Sequence, residues 1–527
     1  MSVSFYFIDE IHSYQMKIRT IANITFCCLA ACGCQDDTVN DSSDKSLSIN
    51  IEEHELKLGE NQTDTLHITV QQELPSLKHD IINIFSADTN ADIPFEIDTI
   101  YQESTKKYAI VFADNGTSNI YNRNVYLSVS TGNIDKPHEK SDTFHVYKSF
   151  FTDLPVIYIN TPEGQDVTSK NTWMEDVSIC IYDEKGQLAF NGMTEIKGRG
   201  NTTWTYPKKP YALKLEKKSE ILGMPAHKRW VLLANYIDKT LMRNHIAFFL
   251  AKAEKTSLEW TPRGKFVDLV FNNRHVGNYY ICEQIKIDEN RVNIYENTPQ
   301  DTDGGYLLEF DKNFDEINKF KSETSGLPVM IKEPDEDDLT TAQFNFIQEF
   351  INGVDKKIYT SDFADKRDYM QDIDVNTFVD YYLIYELTGN TELEWPKSCY
   401  MYKDKGGKLK AGPVWDFDYA TFGPLYDYYR KGPSNTSIWW FARLHEDPAI
   451  MQLRKERYNT LRPSFIKVFD EIEAVRKYIK KSAEENSKLW PIDKYDINKD
   501  EKKSFDEAVT LLRNNLQEQF EWMDNNI

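Results

Sequence analysis

The spacing of apolar residues changes near residue 150, and this change limits the folds that the chain can adopt. Before it, alternating runs such as LHITV, YAIVF and VYLSVS recur about every ten residues, separated by Asn, Asp, Gly and Pro. Alternation with a period of two buries one face of each strand, and strands at this spacing are typical of β-sandwiches. We therefore predict an immunoglobulin-like β-sandwich over residues 47–150, with the role of a spacer or adhesive module.

After residue 150 the pattern alternates between strand and helix periods. The runs VIYI, VSICIY, MTEIKGRG and YALKL predict strands, a helix is expected to begin near Asp238, and KFVDLVF and YYICEQI predict a strand pair. Residues 289–338 have the composition of an acidic, loop-rich stretch. Further helices are predicted at residues 341–352, at residues 375–387 and from residue 448 on. At 527 residues the chain exceeds one ordinary core, so we predict an α+β fold with a second domain at residues 151–527.

The amino-terminal region has the features of a bacterial lipoprotein signal. Lys17 and Arg19 form a basic region, residues 21–30 are apolar, and the sequence Leu-Ala-Ala-Cys ends at Cys32. The apolar stretch is too short to span a bilayer. We predict cleavage before Cys32 and a lipid on that residue, with Cys34 as the alternative site.

This signal defines the first two segments of the chain. Residues 1–31 form the signal peptide, of which residues 1–15 are an upstream start-site extension, and residues 32–46 form a polar tether. The folded part is then expected to be lipid-anchored in the cell envelope, at an outer or cell-surface membrane, without a transmembrane span. A formal net charge of −22 argues against a nucleic-acid partner, because acidic surfaces repel phosphate backbones.

Two carboxylates follow the strand-like run of KLKAGPVWDFD. Asp416 and Asp418 are two residues apart on a turn, where hard oxygen ligands suit a divalent cation that holds phosphates. A capping or turn-stabilising pair is the alternative. The order of the upstream parts favours the first interpretation: a Gly-Arg-Gly turn, then Lys214 on a strand, a helix, a strand pair, a long helix, a polar loop and a hairpin. Protein-kinase-like folds present their parts in this order.

Six ordered blocks resemble a known family. IKGRGNTTW, KKPYALKL, VLLANYIDKTLMRN, HVGNYYICEQIKID, GGYLLEFD and GPVWDFD are similar to the spore-coat protein H (CotH) kinase-like family, from about Pro155 to the carboxyl end. The resemblance implies a compact, atypical protein-kinase-like fold. It also implies binding of ATP and a divalent metal, Mg²⁺ or Mn²⁺, and phosphate transfer from ATP to protein Ser.

The resemblance also implies roles for individual residues. Asp416 and Asp418 would hold the metal, and Lys214 would pair with the nucleotide phosphates. Lys197 and Arg199 of KGRG could add phosphate contacts, because cations belong on phosphates. The helix after residue 241 offers no mid-helix Glu to pair with Lys214, so Glu283, at the end of a strand, is the candidate partner.

The loop that would carry the catalytic base departs from the family pattern. Active members have an Asp before Trp-Pro and asparagines after it, whereas GNTELEWPKSC has Glu394 before Trp395 and then Lys, Ser and Cys. Glu392 is the second candidate base. A longer side chain displaces the carboxylate, and misplacement of about 1 Å can cost a rate factor of about a hundred.

Two hypotheses follow for the function. The first is an envelope-anchored atypical kinase that acts on a protein acceptor. The second is a catalytically inactive kinase-like module that binds a glycan or an envelope protein.

Overall fold

The computed structural model describes most of the chain after residue 47. The described residues are 48–58, 63–71, 77, 82–87, 92–93, 96–113, 123–129, 139–148, 152–272, 274–364, 366–425, 439–492, 495 and 497–527. All of them fall within one compact unit that spans residues 47–527. The predicted signal peptide, Cys32 and the tether lie outside the described residues. Within these residues, every helix is too short or too polar to cross a bilayer.

The amino-terminal part of this unit is a sheet of nine strands. The alternating runs form strands as expected, and Leu66, Ile68 and Val70 all point from one face of their strand into a core. The strands are β1 (Ile49–Ile51), β2 (Glu55–Leu58), β3 (Thr63–Val70), β4 (Ile82–Ser86), β5 (Asp92–Ile93), β6 (Glu96–Ser104), β7 (Lys107–Ala113), β8 (Arg123–Val129) and β9 (Glu139–Lys148). Their order is β5-β4-β8-β9-β1-β3-β7-β6, with β2 also on β9. The immunoglobulin-like arrangement over residues 47–150 stays a prediction.

Seven strands after the sheet close into a barrel. They are β10 (Val156–Asn160), β11 (Met174–Tyr182), β12 (Leu188–Gly198), β13 (Tyr211–Ile221), β14 (Met224–Leu233), β15 (Gly264–Phe271) and β16 (Arg274–Glu283). The order is β10-β11-β12-β13-β14-β16-β15, and a parallel pairing of β10 with β15 completes the ring. Ile196, Leu213, Trp230, Leu232 and Ile281 fill its interior. The sequence predicted six of these strands, but neither β14 nor the closure of the barrel.

The outer face of the barrel is also apolar, on two sides. Val156, Tyr158 and Val270 join the core of the amino-terminal sheet. On another side, Val231 and Leu233 of β14 belong to the large core that the helices share. Two helices adjoin the barrel strands: α1 (Thr202–Thr205) lies between β12 and β13, and α2 (Arg243–Ala251) follows β14.

The remaining residues form a second sheet and six helices. The strands are β17 (Tyr306–Phe310), β18 (Lys319–Lys321), β19 (Pro328–Glu333), β20 (Cys399–Lys403) and β21 (Leu409–Ala411), in the order β18-β19-β17-β20-β21. The helices are α3 (Thr341–Thr360), α4 (Val375–Thr388), α5 (Trp439–Leu444), α6 (Pro448–Phe465), α7 (Val468–Leu489) and α8 (Phe505–Asn526). Residues 289–338 are loop-rich as predicted, but the three strands β17, β18 and β19 within them were not predicted. YLLEF of β17 is buried along its whole length, so it lacks the alternation that marks a strand.

Helix α4 is central because almost its entire surface is buried. Every residue from Thr377 to Thr388 is inaccessible to water. The Asp374 side chain accepts a hydrogen bond from the Asn376 amide at the start of α4, and Gly389, with φ of 65°, ends it. The loop GNTELEWPKSC, which carries both candidate bases, begins at Gly389.

Candidate functional site

A cavity of about 730 Å³ lies between the outer face of the barrel, the second sheet and the loops after α4 and β21. Its apolar walls include Val231 and Leu233 from β14 and Met330 from β19. Its charged lining residues are Lys170, Lys197, Arg199, Lys208, Lys286, Glu309, Asp311, Asp315, Glu316, Lys332, Glu336, Glu392, Lys397, Asp416 and Asp418. The cavity therefore combines an apolar wall with many charges of both signs, the lining expected for a small charged ligand.

Asp416 and Asp418 line this cavity from the turn after β21. Between them Phe417 is fully buried, and its amide donates to the Asn244 side-chain oxygen at 2.7 Å. This contact fixes the turn against the start of α2. Asp416 has φ of 66°, a left-handed conformation that a side chain seldom adopts.

The two carboxylates are close enough to affect each other. Burial, and then the charge of Asp416, raise the pKa of Asp418 well above its ordinary value. A divalent cation would relieve this repulsion. Within the described part of the chain, no three His, Cys, Asp or Glu side chains are grouped for metal binding. Mg²⁺ commonly takes one or two protein carboxylates and completes its shell with phosphates and water, and this pair supplies two carboxylates.

A buried guanidinium connects the segment after the turn to two other segments of the chain. Arg243, at the start of α2, is only 1% exposed and contacts both Asp238 and Asp500, the latter at 2.6 Å. Its Nε also donates to the Thr421 carbonyl oxygen at 3.2 Å. Arg243 thus joins α2, the segment after the turn and the connection between α7 and α8.

Two of the predicted phosphate ligands, Lys197 and Arg199, line the cavity. The Arg199 guanidinium lies 5.2 Å from the centre of the Trp415 ring, next to Asp416 in the chain. Lys197 lies 4.7 Å from the centre of the Trp173 ring, and burial, followed by the charge of Arg229, lowers its pKa. Across the described residues neither cation has a carboxylate partner within 4 Å. By contrast, Lys332 in the same lining pairs with two Glu side chains.

The third predicted phosphate ligand, Lys214, is not part of the lining. Its ammonium group pairs with Glu195 at 2.8 Å, directly across the β12–β13 pair. Glu195 and Arg199 are four residues apart, or about 13 Å at the rise of a β-strand. Strand register therefore separates Lys214 from the end of the barrel where Arg199 contacts the Trp415 ring.

The expected partnership of Lys214 with Glu283 is absent as well. Glu283 is fully buried at the end of β16, and both of its carboxylate oxygens accept from the Arg263 guanidinium, at 2.7 and 2.9 Å. It does not line the cavity. A buried carboxylate needs a close partner, and Arg263 on the neighbouring segment provides it.

The loop after α4 brings Glu392 to the cavity but not Glu394. Oxygen Oε2 of Glu392 is buried without a hydrogen-bond partner within the described structure. Burial, and next the charge of Asp416, raise the pKa of Glu392 well above its ordinary value. Glu394 lies outside the lining, and the following Trp395 is 56% exposed. Of the two candidate bases, Glu392 is the one beside Asp416.

Sequence reasoning missed Asp311, a further carboxylate of the cavity. It directly follows β17, is 4% exposed and accepts from the Ser398 amide at 3.1 Å, which holds the end of the loop after α4. Burial raises its pKa. The signal was present, since Asp311 is the last residue of the block GGYLLEFD, where a polar group follows a buried strand.

One comparison with known proteins covers most of the residues that form this cavity. The family model described as CotH kinase protein matches residues 196–523, more than half of the chain. The match begins within β12 and includes every charged lining residue of the cavity except Lys170, whereas the amino-terminal sheet lies outside it. No curated protein matches the chain.

The crowding of carboxylates predicts how stability depends on pH. In the folded state the raised pKa of Glu392 keeps its proton at pH values where the unfolded chain has lost it, so this residue reduces stability as pH rises above about 4.3. Glu392→Gln should therefore raise the ligand-free melting temperature at pH 8 and change it little at pH 4. Glu394→Gln, a change in the same loop, is the control. An equal change in melting temperature for Glu392→Gln at both pH values would contradict a raised pKa of Glu392 in the folded state.

Proposed function

The chain belongs to the CotH kinase protein family, and we propose that it is an atypical protein kinase. It would bind ATP with Mg²⁺ or Mn²⁺ and transfer the γ-phosphoryl group to a Ser hydroxyl of a protein acceptor. One observation carries the proposal: a single cavity contains a paired-carboxylate turn and two cations that have no carboxylate partner among the described residues. Phosphoryl transfer needs metal ligands and phosphate ligands side by side.

Asp416 and Asp418 would hold the metal ion. Their mutual repulsion in a buried turn favours a divalent cation over two protons or two separate water-bound charges. When bound, the metal neutralises charge on the phosphate oxygens.

Arg199 and Lys197 would bind the phosphates. The Arg199 guanidinium stacks on Trp415, which leaves its N–H edge for a phosphate oxygen, and planar guanidinium groups bind such oxygens in a bidentate manner. Beyond them, Ala212, Val231 and Leu233 offer an apolar wall for the base. Lys214 is a less suitable phosphate ligand, because Glu195 already neutralises its charge.

Glu392 would act on the acceptor. Its side chain lines the cavity and its Oε2 has no hydrogen-bond partner within the described structure, so the carboxylate could accept a proton from an acceptor hydroxyl. The carboxylate accepts the proton of the Ser hydroxyl as the oxygen–phosphorus bond forms, and the bond from the γ-phosphorus to the ADP oxygen breaks. Asp311 would keep the loop in place through Ser398.

We also propose that the protein acts at the cell envelope. The lipoprotein-type signal and Cys32 support a lipid anchor, the tether at residues 32–46 and the domain at residues 47–150 would act as spacers, and residues 151–527 would form the kinase-like domain. An acceptor or binding partner would then be another envelope protein or a glycan.

The anchor is tested with Cys32→Ser, which removes the residue that would carry the lipid. Expressed with its native signal, the variant should move from the membrane fraction to the soluble fraction. A variant that stays with the membrane and keeps the mobility of the wild type would contradict the lipoprotein assignment.

The nucleotide site is tested by melting temperature with ATP, in the presence and absence of Mg²⁺. A ligand at a hundred times its dissociation constant adds about 2.7 kcal/mol to the unfolding free energy, so wild type should show a clear Mg²⁺-dependent shift. Asp416→Ala should remove the Mg²⁺ dependence, and Arg199→Gln should weaken ATP binding about tenfold. Lys214→Gln is the matched control and should bind ATP as the wild type does. If Asp416→Ala keeps the full Mg²⁺ dependence, then Asp416 and Asp418 stabilise the turn and do not bind the metal.

Transfer itself is tested with two isosteric changes in one loop. Glu392→Gln should lower phosphoryl transfer about a hundredfold or more with ATP affinity almost unchanged, because its carboxylate would contact the acceptor hydroxyl. Glu394→Gln should have little effect, because that side chain lies outside the cavity. ATP binding without transfer to any acceptor would favour the inactive kinase-like binding module.

A further inference from the structure

The carboxylate turn is attached to the barrel by a side chain that lies 80 residues further along the chain. Asn498, in the connection between α7 and α8, is 2% exposed. Its Nδ2 donates to the Asp418 carbonyl oxygen at 2.9 Å and to the Ile237 carbonyl oxygen at 3.0 Å. Asp418 belongs to the turn, and Ile237 belongs to the segment after β14, which also lines the cavity.

We propose that Asn498 is a positioning residue for the metal-binding carboxylates, an inference that rests on the proposed function of the turn. The two N–H bonds of an amide group diverge at a fixed angle of about 120°, so the two carbonyl oxygens are held about 5 Å apart. Asn498 thereby sets the separation of the turn from the segment after β14. It does not line the cavity itself, so it would act on a bound metal only through the backbone of Asp418.

The connection that carries Asn498 is itself fixed at several points. The backbone N–H of Asn498 donates to Oε1 of Glu501 at 2.7 Å. Asp500 accepts from Arg243 at 2.6 Å, and Arg243 in turn donates to the Thr421 carbonyl oxygen. The connection therefore holds the turn at Asp418 directly and at Thr421 through Arg243. The spacing of the two carboxylates depends on this distant segment.

The chain offers a matched control in Asn515 of α8. Its Nδ2 donates to the Phe422 carbonyl oxygen at 2.9 Å, and the residue is 7% exposed. Asn515 thus binds a backbone carbonyl of the same segment, four residues beyond Asp418. Loss of either amide removes buried hydrogen bonds and lowers stability, but only loss of Asn498 frees the backbone of a proposed metal ligand.

The test compares the dissociation constant of ATP with and without Mg²⁺ by calorimetry, in wild type, Asn498→Ala and Asn515→Ala. The ratio of the two constants is the gain in affinity that the metal provides. Residues that orient metal ligands cost about 10- to 100-fold in metal affinity when changed. Asn498→Ala should reduce the gain about tenfold or more, whereas Asn515→Ala should leave it within about twofold of wild type.

Each result has a distinct meaning. An equal gain in Asn498→Ala and Asn515→Ala overturns the positioning role but leaves the proposed function intact. Absence of any metal-dependent gain in wild type overturns the proposed function, and with it this inference. If Asn498→Ala does not fold, Asn498→Ser, which keeps one hydroxyl donor, replaces it and should show an intermediate reduction. A wild-type gain in Asn498→Ser would overturn the proposal.

Discussion

The buried guanidinium of Arg243 is the contact on which the arrangement of the site depends. It lies between the carboxylates of Asp238 and Asp500 and also bonds the Thr421 carbonyl oxygen. These three partners come from the segment before α2, the connection between α7 and α8, and the segment after the carboxylate turn. Removal of one member of a buried ion pair leaves an uncompensated charge and costs about 3–5 kcal/mol. The cluster therefore holds the three segments in nearly fixed positions relative to one another.

Carboxylates lie close together in the cavity, so electrostatic repulsion matters there as much as attraction. Burial and the charge of Asp416 disfavour the ionisation of both Asp418 and Glu392. Facing them, Arg199 and Lys197 lack carboxylate partners across the described residues. Such an arrangement is unfavourable by itself and becomes favourable with a metal cation and an anionic ligand between the two sets. This is the physical reason for assigning the cavity to a metal–nucleotide complex.

Part of this site could be predicted from the sequence because some of its determinants are local. The carboxylates of WDFD lie on a turn after β21, and the cations of KGRG lie at the end of β12 and just beyond it, where neighbouring residues fix their position. The contacts of Lys214 and Glu283 could not be predicted without the strand pairing. Each is neutralised by an ion pair, with Glu195 across the β12–β13 pair and with Arg263 on a neighbouring segment. Asn498 was out of reach, because its contact with Asp418 joins residues 80 apart. The mixed α+β fold followed from the periodicity, whereas the barrel closure and the strands β17 to β19 did not.

The central claim, that the turn after β21 binds a metal–nucleotide complex, is tested most directly by crystals grown with Mn²⁺ and a non-hydrolysable ATP analogue. The anomalous scattering of Mn²⁺ locates the metal independently of any assumption about the ligand. The account predicts an anomalous peak in contact with the carboxylates of Asp416 and Asp418, with phosphates extending towards Arg199. A nucleotide bound away from this cavity, or an anomalous map without a peak at the two carboxylates, would contradict it.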